Sequence, residues 1–113
     1  MNPNSGLLQG TLEFLILQSL KGGDSRHGFG VLRWIRDASD GALEIEEGAL
    51  YPALHRLERK GWVASEWGLS EKNRRAKFYT LTRVGRTQVS RQEKDWSRYV
   101  DVVGRVLAVA SEG

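Results

Sequence analysis

Hydrophobic residues recur at helical spacing in the first part of the chain. The first stripe, within residues 7–20, consists of Leu8, Leu12, Leu15, Ile16 and Leu20. Steps of three and four residues place these side chains on one face, so the stripe predicts a buried helix. The pair Gly22-Gly23 follows, and glycine commonly ends a helix because it tolerates the left-handed conformation.

A second helix is predicted in the segment that follows. Asp24 or Ser25 can cap its N-terminus, since both side chains accept hydrogen bonds from free backbone N–H groups. The residues expected to face inward are Val31, Leu32, Ile35 and Ala38, and those expected to face outward are Arg33, Arg36 and Asp37. After a turn at Asp40-Gly41, the segment ALEI at 42–45 predicts a short strand.

The segment from Glu46 to Val63 predicts a third helix with two unlike faces. The face expected to be buried carries Leu50, Ala53, Leu54 and Leu57. The opposite face carries Tyr51, His55 and Arg59, with Arg56 beside them. Because proline lacks a donor N–H, Pro52 places the helix start near Glu46 or Glu47. Gly61 is expected to end the helix.

Two stretches of alternating residues, WVASEW at 62–67 and AKFYTL at 76–81, predict the strands of a β-hairpin. The link between them is too long for a tight turn and ends in paired arginines. The order of elements is that of a winged helix-turn-helix, with the third helix as the reading helix and the hairpin as the wing. We therefore predict an α+β, mainly α fold with a disordered N-terminus at 1–6 and a winged-helix domain at 7–82.

A long final helix is predicted from Arg83 to about Ala110, with Thr82 as its cap. Its later apolar positions recur as in a coiled coil; they are Trp96, Tyr99 or Val100, Val103, Val106 or Leu107, and Ala110. At 1.5 Å per residue this helix is about 40 Å long, which exceeds the width of the body before it. Because its far end cannot bury the seam within the chain, we expect residues 83–113 to form a dimerisation helix that packs, together with the first helix, against a second subunit.

Positive charge is concentrated in one segment of the chain. The net charge is +3, yet residues 71–91 contain seven basic residues and one acidic residue, which leaves the remainder acidic. A basic block of this kind is either a solvated face or a docking surface for a polyanion, because it attracts anionic partners.

Composition argues against several classes of function. The chain has no cysteine and two histidines, so it offers no disulfide framework and no cysteine-based metal or nucleophilic site. His27 has Asp24 nearby, but without a nucleophile or a third ligand we interpret it as a helix-start residue and predict no enzymatic activity, metal or cofactor. The N-terminus does not resemble a signal peptide, and no apolar run reaches about 18 residues, so we expect a soluble cytoplasmic protein.

DNA is the polyanion that this arrangement fits, with phosphate contacts supplying affinity and base contacts supplying specificity. At the start of the reading helix, the small residues Gly48 and Ala49 allow a close approach to DNA. Tyr51 can donate its hydroxyl to a phosphate, or it can pack against the wing. His55 can contact DNA or remain exposed without a contact, and Arg56 is expected to reach base edges or backbone. Phosphate contacts of the wing are expected from Lys72, Arg74, Arg75 and Lys77, the alternative being a hairpin that is merely solvated.

Five segments together resemble the PadR family of bacterial transcriptional regulators. They are LLQGTLEFLILQSL at 7–20, HGFG at 27–30, EGALYPALHRLERKGWV at 47–63, RRAKFYTLTRVGR at 74–86 and DWSRYVDVVGRVL at 95–107. The resemblance implies a homodimeric DNA-binding regulator, usually a repressor, that binds a palindromic operator and is released by a small molecule. Two positions depart from the family's pattern: Phe29 stands where tyrosine is frequent, and Asn73 stands where glycine is common.

Trp96 in the last helix is compatible with two roles. Its ring can pack in the seam of the dimer, and two copies can also line a central cavity that stacks on a flat aromatic effector, as in some PadR-like proteins. Val100 and Val103 would then supply a dry wall. For the chain as a whole, the rival interpretation is a winged-helix protein-interaction module without sequence-specific DNA binding.

Overall fold

The computed structural model describes residues 9–112, which form four helices and a three-stranded antiparallel sheet. The helices are α1 (Gln9–Ser19), α2 (Gly28–Ala38), α3 (Glu47–Arg59) and α4 (Arg83–Glu112). The strands are β1 (Arg26–His27), β2 (Val63–Leu69) and β3 (Arg75–Leu81). This mainly helical architecture confirms the predicted winged-helix fold with a long last helix. The predicted disordered segment 1–6, together with Leu8 of the first stripe, lies outside the described residues.

The core forms where α1, α2 and α3 meet the inner face of the sheet. Its buried apolar side chains come from every helix and from β2 and β3. From α1, the predicted Leu12 and Ile16 are buried, and so is Leu17, which the stripe does not include. In α2, Val31 and Ile35 are buried as predicted. Ala38 was expected to face inward but is exposed, at the C-terminal end of α2.

The third helix begins at Glu47 and buries Leu50, Ala53, Leu54 and Leu57, as the sequence pattern predicts. Pro52 lies within this helix on the exposed side, where its missing N–H is not required by a buried partner. Gly61 ends the helical region with a φ of +77°. That left-handed conformation is one that glycine adopts without steric cost.

The third strand of the sheet lies elsewhere than the sequence pattern indicates. Residues 42–45 form no strand in the structure; Leu43 and Ile45 instead pack against the core from an irregular segment. The outer edge of β3 is occupied by the two-residue strand β1, in which Arg26 pairs with Tyr79 and His27 with Phe78. The prediction of a strand at 42–45 was therefore wrong, because β1 already fills the ladder position beside β3.

The N-terminus of α2 also differs from the prediction. His27 is the cap, and its Nδ1 accepts a hydrogen bond of 3.0 Å from the backbone N–H of Gly30. Asp24, one of the two predicted caps, instead lies 3.3 Å from a guanidinium nitrogen of Arg26. The interpretation of His27 as a helix-start residue with a hydrogen-bonded ring is confirmed, whereas the predicted caps Asp24 and Ser25 were wrong.

The wing, defined as β2, β3 and the linking residues 70–74, is a regular antiparallel hairpin. Its register runs from Val63 opposite Leu81 to Leu69 opposite Arg75. At the tip, the backbone N–H of Asn73 donates to the carbonyl oxygen of Ser70 at 2.8 Å, and Asn73 has a φ of +57°. Asparagine tolerates this left-handed conformation better than most residues, which allows it to stand at the tip of the wing.

The last helix projects well beyond the rest of the chain. Thr82 caps it, because its Oγ1 accepts a 3.0 Å hydrogen bond from the backbone N–H of Gly85. Every residue from 97 to 112 is exposed in the single chain, and the chain extends over 57 × 30 × 21 Å. Across residues 9–112, no helix combines the length and the apolar character needed to cross a membrane.

Candidate nucleic-acid interface

The reading helix α3 presents the polar face that its sequence predicts. Tyr51, His55 and Arg59 are all exposed, as are Gly48 and Ala49 at the helix start. A Cβ added at Gly48 would meet nothing within 4 Å. Packing inside the chain therefore does not require a small residue there, which leaves room for an external surface to come close to the helix start.

Tyr51 packs on the first turn of α2. A Cβ added at Gly28 would lie 2.7 Å from the Tyr51 hydroxyl oxygen, so the tyrosine ring occupies the space that a side chain at position 28 would need. Tyr51 remains 40% exposed despite this contact. The tyrosine ring therefore packs against α2, and part of the side chain stays accessible from outside.

The two edges of α3 are attached to neighbouring elements. On the wing side, Oγ of Ser65 donates a 2.6 Å hydrogen bond to the carboxylate of Glu58. On the α1 side, the carboxylate of Glu13 contacts Lys60 at 2.7 Å and Arg56 at 3.6 Å. Arg56, which the sequence places among the DNA contacts, is therefore directed toward α1 and does not join the group formed by Tyr51 and His55.

The wing carries an exposed tryptophan between two cations. Trp67 on β2 is 57% exposed. The guanidinium carbon of Arg75 lies 4.7 Å from the centre of its indole ring, and Nζ of Lys77 lies 6.0 Å from the same point. Cation–π contacts of this kind hold the basic groups in place and leave their charge accessible. Trp67 was not among the predicted DNA contacts, although an aromatic residue on a basic hairpin is a recognisable signal for nucleic-acid binding.

A cleft of about 650 Å³ lies between α3, the start of α2 and the wing. We call it the wing cleft; its polar and aromatic lining residues include His27, Phe29, Arg33, Tyr51, His55, Trp67, Ser70, Glu71, Lys72, Arg74, Arg75, Lys77 and Tyr79. Of the predicted DNA contacts, it brings together Tyr51, His55, Lys72, Arg74, Arg75 and Lys77. Gly48, Ala49 and Arg56 do not line it.

Positive charge dominates the lining of the wing cleft. Five lysine or arginine side chains face one acidic side chain, Glu71. Arg33, which the sequence pattern indicated only as an outward-facing residue, lies with its guanidinium carbon 5.4 Å from the centre of the exposed Phe29 ring. Beneath the cleft, burial raises the pKa of the Tyr79 hydroxyl, and the nearby Glu58 and Tyr51 raise it further. Tyr79 therefore stays neutral and adds no negative charge beneath the cations.

His27 is occupied by structural contacts. Its Nδ1 accepts the capping hydrogen bond, and its ring lies edge-on to Phe78 with 5.4 Å between ring centres. Because Nδ1 acts as an acceptor, it carries no proton in this arrangement. Among residues 9–112, no three histidine, aspartate or glutamate side chains gather in a way that could hold a metal ion.

Trp96 on α4 packs against the first helix of its own chain. Its ring stacks on Phe14 with 5.4 Å between centres and 20° between planes, and Tyr99 lies edge-on at 5.8 Å. Beyond this point the apolar side chains of α4, among them Val100 and Val103, are exposed. The sequence-predicted seam thus begins at a packed aromatic cluster and continues onto a surface that the single chain leaves uncovered.

Comparisons with known proteins point to one family. The model of the transcriptional regulator PadR-like family matches residues 16–91. A transcriptional regulator from Clostridium thermocellum is 28% identical, with 86% of this chain and 93% of that chain covered and a TM-score of 0.75. A PadR family transcriptional regulator from Eggerthella lenta is 31% identical over 88% of this chain and 83% of its own, with a TM-score of 0.70. An uncharacterised protein of Lysinibacillus sphaericus is 25% identical over 88% of this chain and 90% of its own length.

Proposed function

The chain belongs to the PadR-like family of transcriptional regulators, and on that basis we propose that it is a homodimeric repressor that binds a palindromic DNA operator in the cytoplasm. The family and its structural relatives are transcription factors rather than enzymes. The observation that carries the proposal is the wing cleft, which joins the exposed face of the reading helix to the cations of the wing.

In the proposed complex, α3 lies in the major groove and the wing contacts the adjacent backbone. At the start of α3, Glu46 makes no side-chain capping bond and Gly48 leaves open space, so free backbone N–H groups are open to a phosphate; the carboxylates of Glu46 and Glu47 oppose this contact. Tyr51 and His55 extend from the face that would enter the groove. Base edges are read from this helix, whereas the wing supplies phosphate contacts that fix its register on the duplex.

The exposed seam of α4 supports the proposed dimer. The uncovered apolar side chains of its far half are Tyr99, Val100, Val102, Val103, Val106, Leu107 and Val109. An apolar stripe of this length on a solvated helix is stabilised by pairing with a second copy, since burial of the stripe removes apolar area from water. We accordingly assign 7–82 to DNA binding and 83–113 to dimerisation.

The rival function is a winged-helix module that binds an acidic protein and has no sequence preference on DNA. The cations Lys72, Arg74, Arg75 and Lys77 all line one cleft beside the reading helix. Four cations close together suit the dense negative charge of a duplex backbone, and a protein-binding module has no need of them. The arrangement of charge therefore favours DNA as the partner.

We predict that Arg74→Ala and Arg75→Ala each weaken binding to all duplexes by nearly the same factor. Both side chains line the wing cleft and are expected to contact phosphates, which carry no sequence information. The slope of log affinity against log salt concentration should fall in magnitude by about 1 for each variant. Titration of an operator duplex and a scrambled duplex at several salt concentrations measures both quantities.

Arg105→Ala is the matched control, because Arg105 is an exposed arginine on α4 that pairs with Asp101 at 2.7 Å and lies outside the wing cleft. It removes the same charge and should leave the salt slope unchanged. A loss of sequence preference in the wing variants, with no change in slope, would mean that these arginines read bases.

The proposed effector is a flat aromatic molecule held between the two copies of Trp96 in the dimer. Trp96 has one ring face stacked on Phe14, and the apolar Val100 and Val103 follow it on α4. Offset stacking on the indole favours planar aromatic compounds. Release of DNA requires that such a compound prefer a dimer whose two reading helices no longer match successive grooves, since equal affinity for both states shifts nothing.

We predict that a planar aromatic ligand quenches part of the tryptophan fluorescence and lowers affinity for the operator. Trp96→Phe should lose most of the quenching, while the signals of Trp34, Trp62 and Trp67 persist. A panel of flat cationic and phenolic compounds, titrated against wild type and variant, measures the difference. If the compounds quench both proteins equally, or if they leave DNA affinity unchanged, then Trp96 only packs in the structure and binds no effector.

A further inference from the structure

A buried carboxylate connects the first helix to the end of the reading helix. The side chain of Glu13 is only 5% exposed. Its Oε1 accepts a hydrogen bond from Nζ of Lys60 at 2.7 Å, and its Oε2 lies 3.6 Å from Nε of Arg56. One buried negative charge thus holds two positive charges, and removing it would leave the cations without the partner that offsets their partial burial.

Arg56 lies at the edge of the DNA-facing surface of α3. Each residue turns an α-helix by about 100°, so Arg56 points about 100° away from His55, which is exposed. The side chain of Arg56 is one-quarter exposed, and its Nε is buried. The guanidinium is therefore drawn back toward α1, although its position on the helix and its length would let it reach a nearby phosphate.

Lys60 is held more firmly than Arg56. Besides its bond to Glu13, its Nζ lies 4.7 Å from the centre of the Trp62 ring. The loss of the Glu13 charge would leave this cation–π contact in place. The guanidinium of Arg56, in contrast, would lose its contact with the Glu13 carboxylate and become free to move.

We propose that Glu13 is a positioning residue that fixes the reading helix and keeps Arg56 away from the DNA backbone. A released arginine at the edge of α3 would contact phosphates of any sequence and so raise non-specific affinity. Held by Glu13, Arg56 stiffens the attachment of α3 to α1 and makes no such contact. Glu13 thereby sets the ratio of specific to non-specific binding. This inference rests on the proposed DNA-binding function.

The test compares wild type with Glu13→Gln on an operator duplex and on a scrambled duplex of the same length. We expect the variant to bind the scrambled duplex more tightly and with a salt slope steeper by about 0.9, the value for one added phosphate contact. Between about 50 and about 200 mM salt, the loss of affinity should then be about 3.5-fold larger than in wild type. The preference for the operator should fall.

Glu93→Gln is the matched control, because Glu93 also forms an ion pair, at 2.8 Å with Lys21, and the substitution changes the net charge by the same amount. The pair joins the turn after α1 to α4 and involves no residue of α3, so the salt slope should stay at the wild-type value. Arg56→Gln supplies a second, independent variant that keeps Glu13 bonded to Lys60. Alone, it should leave the slope unchanged; combined with Glu13→Gln, it should restore the wild-type slope.

Two results would overturn the inference. In the first, Arg56→Gln alone lowers the slope by about 0.9, which would mean that Arg56 contacts a phosphate in the wild-type complex. In the second, Glu13→Gln lowers affinity for both duplexes in parallel with an unchanged slope, which would make the pair purely structural. If Glu13→Gln does not fold, the salt slope of Arg56→Gln alone decides whether Arg56 contacts a phosphate. A failure of the proposed function is recognised separately, because wild type would then not distinguish the operator from the scrambled duplex.

Discussion

Leu107→Asp is expected to separate the dimer and to weaken operator binding by about 10²- to 10⁴-fold. Leu107 lies in the uncovered apolar seam of α4 and is 62% exposed in the single chain. In a dimer that buries the seam, an aspartate there would be a buried charge without a partner, which is strongly unfavourable. Two half-sites joined in one dimer bind far more tightly than separate monomers, because the second contact becomes intramolecular.

Ala108→Asp is the matched control for this prediction. Ala108 follows Leu107 directly, but it lies on the side of α4 that carries the Asp101–Arg105 ion pair, at i+7 from Asp101. The same new charge on the same helix should therefore leave the dimer intact. Light scattering coupled to size-exclusion chromatography gives the mass of each variant. A Leu107→Asp protein that remains dimeric would contradict the assignment of the seam.

Gly85→Ala is expected to destabilise the fold by about 3 kcal/mol or more. A Cβ at this position would collide with the backbone carbonyl oxygen of Trp62, which also accepts a 3.0 Å hydrogen bond from the N–H of Thr82. The carbonyl cannot move away without weakening that bond at the start of α4. Denaturant-induced unfolding measures the change in the free energy of unfolding.

Gly104→Ala tests the same substitution in the same helix without the collision. A Cβ at Gly104 meets nothing within 4 Å in the single chain. Alanine is preferred to glycine in a helix interior, so this variant should be more stable by about 0.5–1 kcal/mol. Equal stability of Gly85→Ala and wild type would contradict the close approach of α4 to Trp62.

Periodicity predicted α1, α2 and α3 because each carries an apolar stripe that packs into the core. Leu50, Ala53, Leu54 and Leu57 are apolar at helical spacing and are all buried. The alternation in β3 likewise separates the buried Tyr79 and Leu81 from their neighbours. In each case the local pattern and the tertiary environment require the same face to be inside, so the sequence alone is sufficient.

The sequence was a poor guide where distant residues decide the local structure. The strand β1 has two residues and no pattern of its own; it exists because β3 offers a free edge to Arg26 and His27. Residues 42–45 have the better strand pattern, but β1 already occupies the edge of β3 beside Phe78 and Tyr79. The capping role of His27 likewise depends on β1, because His27 is the last residue of that strand and directly precedes α2.

The candidate site also has some features that local sequence predicts and others that depend on the tertiary structure. The basic residues of the wing and the polar face of α3 could be read from charge and spacing, and the fold brings six of the predicted contacts to one cleft. The ion pairs of Glu13 with Arg56 and Lys60 join residues up to 47 positions apart, so no local sequence pattern predicts them. Phe29 and Arg33 enter the cleft because α2 begins beside the reading helix, which only the tertiary structure reveals.

Selection of bound duplexes from a random pool tests whether the protein is a dimer that reads DNA sequence through α3. We expect enrichment of a palindrome whose half-sites are separated by about one helical turn, roughly 10 base pairs. Binding without any enriched sequence, or enrichment of a single unpaired half-site, would contradict it.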